Sequence, residues 1–193
     1  MKPFVVLVIP LLLLAAPAWG QSEPNKAAPT SSRSTTPAPT GAHATLTVEG
    51  RVLVGDVAPD FDLTSSRDRV IRLSKQRGDW VLLVFAPDRD DFAAYSTVNS
   101  DLAAIGVRLL GVCRENPQTL RTVAEKNGIP FEMLADATGE ISSMYGLYDG
   151  ARRCCIPGFL VLDRRGVVKL AVSGQQVPVN QVLSLTALTV AAP

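Results

Sequence analysis

Three cysteines, one histidine and a run of acids are the residues of this 193-residue chain that could do chemistry. Cys113 closes the apolar run VRLLGVC, and Cys154 and Cys155 stand side by side behind Arg152 and Arg153. A thiol beside a cation ionises more readily, and the thiolate attacks peroxides and disulfides. Cys154, Cys155 and Cys113 are therefore candidate redox thiols, and Arg153 is the candidate stabiliser of a thiolate. The only histidine, His43, lies in a stretch without Val, Ile, Leu, Met or aromatic residues. A folded domain without histidine has no Ser-His-Asp or Cys-His catalysis, histidine-ligated zinc or imidazole switch. Nineteen basic and eighteen acidic residues leave a formal charge of +1, so nothing in the balance favours nucleic acid or anionic lipid.

The acids of Asp88-Arg89-Asp90-Asp91 invite a metal or acid/base reading. Carboxylates at a helix N-terminus are stabilised by the dipole and cap free N–H groups, and Asp90 or Asp91 fits that use. No partner ligands can be named elsewhere in the chain, so neither metal nor cofactor is expected.

Three segments carry these residues. Residues 1–20 (MKPFVVLVIPLLLLAAPAWG) have a positive start at Lys2, an apolar core and small residues in Ala18-Trp19-Gly20, the pattern of a cleaved signal peptide. Its removal takes away one lysine, leaves the mature chain formally neutral and leaves no membrane anchor. Residues 21–45 contain eighteen Pro, Ser, Thr or Ala and read as a disordered spacer, because such a stretch cannot offset an ordering cost of about 1–2 kcal/mol per residue. Residues 46–193 are long enough for one domain with a proper core. A secreted or periplasmic protein is expected.

Within that domain, residues 46–54 (LTVEGRVLV) alternate like a strand, and FDLTSS with VIRL predicts a hairpin around Arg67-Asp68. WVLLVF (80–85) and VRLLGV read as strands buried on both faces. Between them Phe92, Tyr95, Leu102 and Ile105 fall on one face of a helix ended by Gly106. Asn116-Pro117 caps a helix closed by Gly128. FEMLAD is a strand, TGEISSMYG a short helix, FLVLD and VVKLAVS a hairpin around Arg164-Arg165-Gly166, and residues 179–190 a final helix. A βαβ half followed by a ββα half predicts an α/β thioredoxin-like fold, a central mixed sheet flanked by helices with an N-terminal β-hairpin extension.

VGDVAPDFDL, WVLLVFAP, LLGVCREN, IPFEMLAD, GEISSMYGLY and FLVLDRRGVV appear in an order that resembles the peroxiredoxins, the alkyl hydroperoxide reductase/thiol-specific antioxidant family, and among them the bacterioferritin-comigratory type. The similarity spans about residues 54–172. It implies a thiolate at the start of the helix after the first long strand, with an arginine nearby. The residues there depart from that pattern. The peroxidatic cysteine corresponds to Ala94 and the hydrogen-bonding threonine to Asp91, while a Cys-x-x-Cys alignment places Asp90 and Ala93 at the thiols.

In thioredoxin-like proteins a cis-proline precedes the strand that faces the redox helix. Pro157 matches that position, with Arg152 and Arg153 just upstream. The resemblance brings all three cysteines to one edge of the sheet. Export permits a disulfide, and Cys113–Cys154, Cys113–Cys155 and a strained vicinal Cys154–Cys155 bond stay open. Two functions follow. One is a thiol-disulfide oxidoreductase or antioxidant protein working through non-standard cysteines, with a thiol reductant or protein client. The other is a catalytically inactive binding or scaffold module. The substrate and the oligomeric state stay open.

Overall fold

The computed structural model describes residues 52–192. The expected signal peptide over 1–20, the spacer over 21–45 with His43, and residues 46–51 of the expected first strand lie outside the described residues. Val52, Leu53 and Val54 lie inside them and are not strand. The Leu53 amide donates to the Asp56 carboxylate at 2.9 Å, and the Asp56 amide donates to the Leu53 carbonyl at 3.1 Å. This turn passes through Gly55 at φ 98°, a conformation glycine adopts without a Cβ clash. Side-chain bonding to the local backbone has overridden the alternation.

The hairpin is present: β1 (Asp62–Thr64) pairs antiparallel with β2 (Val70–Arg72). A 3-10 turn over Leu73–Gln76 leads into β3 (Trp80–Phe85), which covers the WVLLVF run. After a second 3-10 turn over Arg89–Asp91 come α1 (Phe92–Tyr95), α2 (Asn99–Ala104) and β4 (Val107–Cys113). Then follow α3 (Pro117–Asn127), β5 (Glu132–Ala135), α4 (Glu140–Met144), β6 (Tyr148–Asp149) and β7 (Cys154–Cys155). The chain continues through β8 (Gly158–Leu162), β9 (Val168–Ser173) and α5 (Val179–Ala191).

The central sheet has the order β5-β4-β3-β8-β9, with β3, β4 and β5 parallel and β8 and β9 antiparallel to their neighbours. This is the expected mixed thioredoxin-like sheet. Because side chains alternate along a strand, β3 feeds two cores. Leu82 and Val84 join Phe92, Leu102, Leu120 and Val182 on one face. Val81, Leu83 and Phe85 join Phe61, Ile71, Ile141 and Tyr145 on the other. The Asn116 side chain accepts the Thr119 amide at 2.8 Å, and Gly128 closes α3 at φ 60°, so both expected helix signals hold.

The helix after β3 differs from expectation. It is divided into α1 and α2, and its entry is capped by Asp88, whose carboxylate accepts the Asp90 amide at 3.0 Å. Thr97 donates its hydroxyl to the Ala94 carbonyl at 2.8 Å, local bonding of the kind that competes with a helical ladder. Phe92, Tyr95 and Leu102 are buried as expected, but Ile105 lies at the end of α2 and is 38% exposed. Phe92 holds the entry down: a Cβ at Gly111 of β4 would sit 2.6 Å from its ring. The bare backbone of Gly111 lets α1 approach the sheet.

Candidate functional site

The C-terminal ends of β3 and β4 share one edge, which carries both the entry to α1 and the approach to Cys113. Pro87 leaves β3, Asp88 caps the turn, and Arg89 pairs with Glu115, whose amide donates to the Cys113 carbonyl at 2.9 Å. The acids of this segment thus act as a cap and as neighbours of a paired arginine. Among the described residues, no group of three His, Cys, Asp or Glu could hold a metal ion. Ala94 is exposed on α1, and Asp91 is half-buried. Burial pushes the Tyr95 phenol up to about 12, with Asp91 adding to the shift. A cleft of about 20 Å³ lies between Ala86, Asp91, Tyr95, Pro157 and Gln176, room for about one water. Pro157 lines this cleft together with Asp91 and Tyr95 of the α1 entry. Its carbonyl accepts the Gly174 amide at 2.9 Å.

The three cysteines are free thiols. None of the three pairings left open by the sequence is formed. Cys154 and Cys155 are not part of the central sheet. They make up β7, which pairs with β6 through Tyr148↔Cys155 and Asp149↔Cys154. Successive strand side chains point to opposite faces, which opposes a vicinal bond and gives the two sulfurs different surroundings. Cys155 is 1% exposed, whereas Cys154 is half-buried.

The Cys155 sulfur lies 3.1 Å from Ser142 Oγ. Ser142 donates its single hydroxyl proton to Asp136 Oδ2 at 2.7 Å, so the thiol is the donor to Ser142. Asp136 is 1% exposed and also accepts the Ile141 amide at 3.2 Å and the Ser142 amide at 2.7 Å. It holds the first turn of α4 and ends a buried chain from sulfur to carboxylate.

Burial pushes the Cys155 thiol up. The Asp136 charge adds to the rise, while a backbone hydrogen bond from Arg114 opposes it. Burial pushes the Cys113 thiol up as well. At Cys155 desolvation outweighs the favourable Arg114 hydrogen bond. Arg153 is exposed at φ 55°, and its carbonyl accepts from Arg114 Nη1 at 3.1 Å. Arg152 pairs with Asp149 at 3.6 Å.

The structure thus gathers Cys113, Cys155, Arg114, Asp136 and Ser142 at one edge and leaves Cys154 and Arg153 on its outer side. Ser142, Asp136 and Arg114 were not singled out in the sequence. Asp136 precedes a helix start in ADATGE, a capping signal, but nothing local pairs Ser142 with a cysteine thirteen residues on.

Residues 54–171 match the AhpC/TSA family. The chain is similar to Peroxiredoxin 2 of Thermoplasma acidophilum, 31% identical over 128 residues, covering 60% of this chain and 64% of the relative. It is also similar to the chloroplastic Peroxiredoxin Q of Triticum aestivum, 27% identical over 193 residues, covering 88% of each. The chain thus spans 64% of the length of the Thermoplasma relative. Among solved structures it resembles peroxidoxin BcpB of Mycobacterium tuberculosis, with a TM-score of 0.65 and 19% identity, over 72% of this chain and 97% of that one. It resembles Enterococcus faecalis AhpC at a TM-score of 0.66 and 16% identity, over 72% and 92%. These structural likenesses show a shared thioredoxin-like fold. The family match runs from the turn before Gly55 into β9 and takes in every strand of the central sheet, and on that ground this chain belongs to the AhpC/TSA family, the peroxiredoxins.

Proposed function

We propose that the protein is an exported, secreted or periplasmic thiol-dependent oxidoreductase of this family whose reactive sulfur is Cys154. Residues 1–20 serve as a cleaved leader and residues 21–45 as a spacer. The partial exposure of Cys154, where Cys155 on the same hairpin and Cys113 on β4 are both buried, carries this reading. The segment from Ala86 to Val112 contains no cysteine, and the family's attacking position corresponds to Ala94. Cys154 follows Arg153 in the chain and lies half in solvent, where a small substrate can reach it. Its thiolate would attack a peroxide with S–O bond formation and O–O cleavage. The products are a sulfenic acid and an alcohol or water, and a thiol reductant returns the sulfur.

The test is peptide mass mapping of reduced protein after a brief peroxide pulse. Oxidation is expected at Cys154 ahead of Cys113 and Cys155, to be abolished by Cys154→Ser and slowed near neutral pH by Arg153→Met. Oxidation no faster than that of an unstructured cysteine peptide would sink this reading. That result would support the second one, a binding module, which the sulfur-free α1 entry favours.

A further inference from the structure

The two cysteines of β7 differ in exposure although they are adjacent in the chain, so something must decide which of them faces out. The ladder alone is a weak determinant. β6 and β7 share only two residue pairs, and a slip of one residue would exchange the faces of both cysteines. A two-stranded ribbon of this size has little stability of its own. The hairpin turn is also unfavourable locally, since Arg153 occupies a left-handed conformation at φ 55°.

Two backbone contacts add to the ladder. The Ile156 amide donates to the Leu147 carbonyl at 2.8 Å at the base of the hairpin, and Arg114 Nη1 donates to the Arg153 carbonyl at 3.1 Å from outside it. Those bonds go to backbone groups, so neither can tell one side chain from the other. One contact can. Ser142 Oγ, oriented by its bond to Asp136, meets the sulfur of Cys155 at 3.1 Å, and all three side chains are at most 1% exposed.

We propose that Asp136 and Ser142 are positioning residues that select between the two thiols: by holding Cys155 inward they present Cys154 to substrate. Asp136 acts through Ser142, because its carboxylate takes the hydroxyl proton and leaves the serine oxygen as an acceptor for the thiol. If β7 were reversed, a different side chain would face Ser142 Oγ and the half-exposed site would pass to Cys155. The two adjacent sulfurs are thereby given separate roles, one anchoring and one reactive. This selection rests on the reading of Cys154 as the reactive sulfur, but the selection of exposure can be tested independently of peroxide chemistry.

The experiment labels fully reduced, folded protein with a limiting amount of iodoacetamide and counts adducts at Cys154 and Cys155 by peptide mass mapping. The native chain is expected to favour Cys154 by tenfold or more. Loss of one buried hydrogen bond moves an equilibrium by roughly tenfold. Ser142→Ala should therefore bring the ratio close to parity and change the pH profile of Cys155 labelling.

Two milder variants keep the test decisive if Ser142→Ala fails to fold. Cys155→Ser retains a donor to Ser142 and should keep Cys154 labelling at the native rate, whereas Cys155→Ala loses the anchor and should slow it several-fold. Rescue by serine but not by alanine is not expected of simple cavity filling. An unchanged Cys154:Cys155 ratio in folded Ser142→Ala, or equal Cys154 rates in the serine and alanine variants, would overturn the selection. Inert Cys154 in the peroxide pulse, with the labelling ratios behaving as expected, would overturn the oxidoreductase reading while leaving the selection intact.

Discussion

The entry to α1 and the β6–β7 hairpin both stand near the C-terminal edge of the sheet, and they are built in opposite ways. The entry is held from below: Phe92 is fully buried against Gly111, Tyr95 is 9% exposed, and Asp88 caps the turn above them. It has packing and no sulfur. The hairpin has two ladder pairs, a strained turn and two adjacent thiols, and it is held by polar contacts from Ser142 and Arg114. The difference separates scaffold from chemistry. Phe92 and Leu102 are buried in the core, whereas Ala94 on the same segment is exposed and takes no part in it.

The strongest way to break this contrast is to put sulfur at the entry. Ala94→Cys places a thiol at the exposed site where the family resemblance puts the attacking one, on a scaffold whose packing is unaltered. Peroxide consumption should rise about tenfold or more over the parent. The acids Asp88, Asp90 and Asp91 oppose ionisation there, so adding Asp91→Thr should raise the rate further. Stopped-flow consumption of hydrogen peroxide measures both changes. Complete inertness of the double variant would mean that the entry holds no peroxide pocket.

A second comparison pits the two caps against each other. Asp136 accepts three hydrogen bonds in a site 1% exposed, whereas Asp88 accepts one at an exposed turn. Losing the helix-start bonds and stranding the Ser142 hydroxyl should cost Asp136→Ala about 2–4 kcal/mol. Asp88→Ala should cost about 1 kcal/mol. Urea unfolding of the two variants checks the order, and equal losses would show that the hairpin side is no more dependent on polar contacts than the entry.

The pH dependence of stability distinguishes the two regions next. Cys113 and Cys155 have pKa values raised from an ordinary 9.0, chiefly by burial, so the fold favours their neutral forms. Their contribution is complete below pH 9 and falls as the pH rises, because the unfolded chain ionises first. Tyr95 at the α1 entry and Tyr145 start from 10.0 and add their loss later. Unfolding midpoints should therefore begin to drop between pH 9 and 10, and Cys113→Val should flatten the early part of the decline. An unchanged slope in that variant would remove Cys113 from the account.

Strong periodic signals carried most of the fold. WVLLVF and VRLLGV became β3 and β4, and Asn116-Pro117 with Gly128 bounded α3, because continuous apolar runs and caps act through nearby residues. The alternating pattern failed at Val52–Val54, where Asp56 captures the backbone, and the single expected helix divided at Ser96-Thr97. Of the site, the cysteines and Pro157 were visible as residue types. Their division into buried and half-buried sulfurs was not, because it depends on Ser142, Asp136 and Arg114, which reach β7 only through the tertiary fold.

The smallest expected effect concerns the turn of the hairpin. Arg153 is held at φ 55°, where an L side chain costs roughly 1–2 kcal/mol, while its carbonyl accepts from Arg114. Arg153→Gly removes that cost, but glycine also loses more freedom on folding, by roughly 0.5–1 kcal/mol. The difference leaves a stabilisation of at most about 1.5 kcal/mol, visible as a small upward shift in Tm. The same change deletes the cation beside Cys154, so stability and thiol reactivity should move in opposite directions. Arg153→Met keeps the left-handed strain and loses only the charge, and it should slow Cys154 alkylation without raising Tm. If Arg153→Gly lowers Tm instead, the arginine side chain is stabilising the hairpin through contacts of its own. The turn would then be a built support for Cys154 rather than a strained connection tolerated beside it.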